Sequence, residues 1–149
     1  MKTTQTHTNF TEWLSVEDIH NDSKEWLLEL AFLKDEYLFF EDLMKSYTLQ
    51  LIDLQDYSKN KKIIDTISNY KKENDNLIKL VQEHENKLEI LVDGINKPKE
   101  EEAYKKGHKG LKVLVKNFLK ENKVLKLKLF NIIKKIKKTE KQKRLIDLE

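Results

Sequence analysis

Two histidines occupy places where hydrophobes are expected. His84 interrupts the apolar line of Leu77, Val81, Leu88 and Leu91 in "LVQEHENKLEILV", and His108 precedes Leu111 and Val115 in "KKGHKGLKVLV". An imidazole can ligate a metal, carry a proton near neutral pH, or donate and accept hydrogen bonds. Two asparagines, Asn74 and Asn122, sit at similar places in the same two apolar lines.

Whether these residues meet depends on how the chain folds back. If it reverses near residues 96 and 97, antiparallel neighbours have numbers totalling about 193. His84 and His108 satisfy that condition, and Asn74 and Asn122 nearly do, further along the same helices. A first reversal near residues 57 and 58 brings residue 31 of the leading helix to the His layer. Glu29 and Glu36 flank that point. Two imidazoles and a carboxylate are the elements of a small metal or ligand site inside a bundle. Only two ring ligands are indicated, however, and polar residues at apolar seam positions commonly fix register. The sequence therefore favours register specification over ligation, and no cofactor is assigned.

A second candidate is the basic run "KKIKKTEKQKR", with Lys134, Lys135, Lys137, Lys138, Lys141, Lys143 and Arg144. Such a run is the electrostatic footprint of a polyanion contact, either nucleic acid or an anionic membrane surface. No aromatic residues are interleaved for base stacking, and no helix-turn-helix or zinc-finger pattern is present. The basic residues are 28 Lys and one Arg, so the residue suited to bidentate phosphate contact is nearly missing. Charge runs are usually solvated helix faces.

Enzyme motifs are missing: there is no Gly-rich phosphate loop, no G-x-S-x-G elbow and no H-E-x-x-H. The Glu-x-x-His pairs of di-iron bundles are missing too, because Val81 and Lys105 stand three residues before the histidines. The chain is expected not to be an enzyme.

The elements that position these residues are legible as seams. Trp26, Leu30, Leu33, Tyr37, Phe40, Met44, Tyr47, Leu51 and Leu54 alternate four and three apart, a heptad pattern. Asp22 and Ser23 are the expected caps ahead of them. A second seam runs Ile63, Ile67, Tyr70, Asn74, Leu77, Val81, His84, Leu88, Leu91 and Ile95. Its phase breaks from the first, which predicts a turn over residues 56–60 with Ser58 and Asn60 as caps. Gly94, Asn96 and Pro98 mark the next turn, and Glu100, Glu101 and Glu102 complement a new helix dipole. The third seam is Tyr104, His108, Leu111, Val115, Phe118, Asn122, Leu125, Leu129, Ile132 and Ile136. Gly107 and Gly110 predict a kink there, or a helix that begins in earnest only at Leu111.

The expectation is one all-α domain over residues 1–149, an up-down-up antiparallel bundle of long helices at 22–57, 59–96 and 98–143. A short N-terminal helical segment within residues 1–21, bearing Phe10, Trp13, Leu14, Val16 and Ile19, is expected to cover the bundle, and 144–149 to be a tail. With 37% charged residues, 38% hydrophobic ones, three Gly and one Pro, the composition suits long helices rather than a sheet. Folded back in this way, residues 1–43 and 73–122 hold 13 basic and 20 acidic residues, net −7. Residues 44–72 and 123–144 hold 16 basic and 4 acidic, net +12.

No stretch reaches the roughly 18 to 20 apolar residues that span a bilayer. The first residues lack the apolar core of a secretory signal, so a cytoplasmic location is the default expectation. Without cysteine there are no disulfides or thiolate sites. The functional expectation is a non-enzymatic bundle working through contact with a protein partner or with itself as a homodimer. Polyanion binding is the alternative, and a metal or small ligand near His84 and His108 the second alternative.

Overall fold

The computed structural model describes residues 15–50, 54–93 and 98–147. The described residues are all-α, in three long antiparallel helices: α1 (Val16–Gln50), α2 (Leu54–Asp93) and α3 (Pro98–Asp147). None of them is long and apolar enough to cross a membrane. The leading segment through Leu14, the seam side chains of Leu51, Leu54 and Ile95, and the Lys143 side chain lie outside what is described.

The first helix starts two turns earlier than Asp22 and Ser23 suggested. Ser15 caps it, its Oγ accepting from the Asp18 amide at 3.0 Å and its carbonyl from the Ile19 amide at 3.1 Å. Glu17 and Asp18 in the first turn complement the helix dipole. The physical reason is that the seam continues below Trp26. Ile19 and Ser23 keep the four-three spacing and are buried at 2% and 0% exposure, so neither is available as a solvated cap.

The expected turn at 56–60 is likewise displaced, because those residues lie inside α2. Asn60, read from sequence as a cap, is a buried seam residue in step with Ile67 and Asn74. Across the first reversal the partners are Leu30 with Asn74, Lys34 with Asp75, and His20 with Glu85. Those pairs centre the fold-back near residues 52 to 54, some five residues earlier than expected.

The third helix is unbroken through its glycines and does not begin late. Both Gly107 and Gly110 are helical, with negative φ, and a Cβ at either meets nothing within 4 Å. Helix α3 also takes in Arg144–Asp147, where a tail was expected. Late in α3 the buried residue is Ile133 rather than Ile132, which is half-buried. A straight helix of 3.6 residues per turn drifts about 20° per heptad against a 3.5-residue seam, so along α3 the inward side moves gradually off the strict heptad positions.

The chain packs as two compact units, each taking a stretch of all three helices. The first comprises residues up to Glu36 with Tyr70–Val115, and the second Tyr37–Asn69 with Lys116 onward. In the first, Ile19, Leu88 and Tyr104 form a core cluster with Leu91 packed against it. In the second, Phe40 meets Phe130 edge-on at 5.5 Å, and the buried Tyr37 hydroxyl donates to Asn122 Oδ1. The first unit holds 13 basic and 17 acidic residues, net −4, and the second 16 and 9, net +7.

Since Gly110 is helical, exposed and uncrowded, Gly110→Ala is expected to stabilise the protein by about 1 kcal/mol. Urea unfolding followed by circular dichroism checks this. A destabilised Gly110→Ala variant would mean that the helix bends where these glycines stand.

Candidate functional site

The two histidines meet. His84 Nε2 lies 2.8 Å from His108 Nδ1, and His108 Nε2 lies 2.9 Å from Asp22 Oδ2. The three residues come from α2, α3 and α1 in turn, and both imidazoles are buried, at 8% and 1% exposure. As a carboxylate Asp22 only accepts, so His108 donates through Nε2. With the His108 ring proton on Nε2, its Nδ1 accepts from His84 Nε2–H.

Aromatic faces hold this chain in place. Trp26 stacks on His108 at 4.9 Å between centroids, and Tyr104 stacks on His84 at 4.3 Å with only 8° between planes. The Tyr104 hydroxyl donates to the His84 carbonyl at 2.9 Å. Four rings from three helices therefore lie nearly parallel, with polar edges joined and faces covered.

Burial, and after it the neighbouring His108, pushes the His84 pKa from 6.5 down to about 4, while Glu85 opposes the shift. The Tyr104 hydroxyl is raised above its ordinary value by burial and by Glu85. Both groups are thus uncharged at neutral pH.

Glu29 and Glu36 are the carboxylates expected here; the one that accepts from His108 is Asp22. An error of five residues in the centre of a reversal becomes ten in the facing residue, which is the distance from residue 31 back to the neighbourhood of Asp22. The asparagines are each answered by α1. Asn74 Nδ2 donates to the Leu30 carbonyl at 2.8 Å, while Asn122 pairs with Tyr37 and donates to the Phe118 carbonyl at 2.7 Å. Sequence reasoning also missed His20, whose Nδ1 lies 2.6 Å from Glu85 Oε2. Lys134, Lys135, Lys137, Lys138, Lys141 and Arg144 are all exposed.

The imidazoles are poorly disposed to share a metal. Nitrogens bound tetrahedrally to one zinc at 2.0–2.1 Å are about 3.3 Å apart, with the ion between them. Here they face each other at hydrogen-bond distance, and His108 spends its other nitrogen on Asp22. Among the described residues no group of three or more His, Cys, Asp or Glu side chains could hold a metal ion. Beside the layer, His84, Leu91, Tyr104 and Gly107 line an open cleft of about 380 Å³. Compared with protein family models, curated proteins and solved structures, the chain matches none.

The double variant His84→Leu/His108→Leu is expected to fold and to melt above wild type, because it removes two buried polar rings and leaves Asp22 partly solvated. Its advantage should grow as pH falls from 6.5 to 4. Across that window the unfolded chain binds a proton at residue 84 and the folded chain does not, so acid costs wild type up to about 3 kcal/mol. Zinc, nickel and chelator should leave both melting temperatures unchanged. Melting curves at pH 7.5, 5.5 and 4.5 decide the matter, and a zinc-dependent rise in wild type alone would contradict the register reading.

Proposed function

We propose that the chain is a non-enzymatic interaction protein whose helix α1 packs its outer side against a partner helix, with self-association as a homodimer the first form to test. One observation carries this reading. Leu28, Phe32 and Phe39 are each about 60% exposed, the two Phe rings at 62% and 61%. Each stands two residues beyond a buried seam residue (Trp26, Leu30 and Tyr37), which turns it about 200° away from the core. The result is a second apolar line at heptad-like spacing on the back of a helix that already buries its first. Between Trp26 and Met44, 13 of 19 residues are apolar, and a helix apolar on all sides is ordinarily covered on all sides. Single exposed hydrophobes need no explanation, but a line of them on one helix does.

A polyanion contact is the second reading, supported by the net charge of +7 on the second unit and by the exposed lysines that end α3. It expects duplex DNA or anionic vesicles to retain the protein at about 20 mM salt and to release it as salt rises. Binding to neither at low salt removes that reading.

For the favoured reading, light scattering with size-exclusion chromatography should find wild type above monomer mass at micromolar concentration, or co-eluting with a partner. Phe32→Glu/Phe39→Glu should be monomeric and partner-free. Because both side chains are exposed, its melting temperature should stay close to that of wild type, within about 0.5 kcal/mol for each change. Association unaltered by the double change would sink the assignment to this face.

A further inference from the structure

The hydrogen-bond chain that begins at Asp22 ends on the His84 ring. His84 uses Nε2 toward His108, and its Nδ1 has no hydrogen-bond partner among the described residues. The same residue, over nine-tenths buried, lines the cleft between α2 and α3 within the first unit. Ile90 and Leu91 supply apolar wall from α2, and Tyr104 lines the cleft from α3. Lys87 and Glu100, also lining the cleft, carry opposite charges and so favour neither sign of ligand. At about 380 Å³ the space lies at the small end of ligand sites.

We infer that this cleft is a binding site for a small, neutral aromatic molecule bearing one O–H or N–H donor, a phenol or an indole, which donates its hydrogen to His84 Nδ1. Three features define that chemistry. With His108 donating through Nε2 to Asp22 and accepting at Nδ1, His84 carries its proton on Nε2 and leaves Nδ1 as an acceptor. Tyr104, stacked on His84 and bonded to its carbonyl, holds the ring in one orientation. The apolar wall rewards a planar body, and the balanced rim gives no attraction to an ion. A ring kept neutral by burial remains an acceptor through the neutral pH range, so the site binds rather than abstracts a proton.

The test uses the full chain labelled in its imidazole nitrogens. Phenol and indole should shift the His84 Nδ1 resonance saturably, with a Kd on the order of 1 mM for so few heavy atoms. Anisole has the same shape and no donor, and should bind about ten-fold more weakly because it leaves the nitrogen desolvated and unpaired. The second variant is Gly107→Leu. Gly107 lines the cleft, and a Cβ there meets nothing within 4 Å, so a side chain can start from this position without a backbone clash, and Leu is the better helix former. It should melt no lower than wild type and lose phenol binding. Three outcomes would each overturn the site: no saturable shift up to about 20 mM phenol, anisole as tight as phenol, or phenol binding undiminished in folded Gly107→Leu.

Discussion

The Asp22–His108–His84 chain sets the register of the first unit. Heptad seams made of Leu, Val and Ile are repetitive, and a slip of seven residues exchanges one aliphatic contact for another at little cost. The polar chain removes that freedom. Sliding α2 on α3 by one heptad would set His84 against Val115 or Glu101 instead of His108. Each buried ring nitrogen left without a partner would then cost about 1 to 3 kcal/mol. The stacked faces of Trp26 and Tyr104 add a second condition, since a ring satisfied at its edge must also be covered on its face.

The second unit uses a smaller device to the same end. Tyr37 on α1 donates to Asn122 on α3, and that side chain in turn donates to the Phe118 carbonyl. Asn74 ties α2 to the Leu30 carbonyl in the first unit. Such ties are not perfectly satisfied: Ser23 Oγ, Asn60 Nδ2, Asn74 Oδ1 and Glu85 Oε1 are buried with no hydrogen-bond partner among the described residues. The balance is one of specificity against stability. An aliphatic residue at any of these places would bury more apolar surface and leave more registers of similar energy.

The helices were legible from sequence because burial follows the heptad repeat. The seam from Trp26 to Tyr47 is buried at every position. The first reversal was not legible, because neither Gly nor Pro stands near it and Ser58 and Asn60 imitate caps. A buried Asn and a capping Asn are the same letter; only the partners of the neighbouring helix separate them. Asp22 was hidden for the same reason, since Asp and Ser before an apolar run read as a helix start. His84 and His108 were placed together correctly because Gly94, Asn96 and Pro98 fix the second reversal closely. The accuracy of each facing pair thus depended on how well the turn between its helices was marked.

The contrast between α1 and α3 shows where local pattern stops determining what a face does. Both helices bury one seam, and both carry apolar residues on the opposite side, such as Phe32 and Phe39 on α1 and Val124 and Leu127 on α3. On α3 these are set among Lys120, Lys123, Lys126 and Lys128, whose long stems can cover neighbouring apolar surface while their ammonium groups stay in water. On α1 the flanking charges are chiefly Asp35, Glu36 and Asp42, and these short stems cover little. Exposure does not separate the two, since Val124 at 55% and Leu127 at 65% are about as open as the two Phe rings of α1 at 62% and 61%; the stems that surround them do. Flanking stem length, rather than exposure or apolar content, is thus what distinguishes the α1 face proposed to meet a partner from the apolar residues on the back of α3.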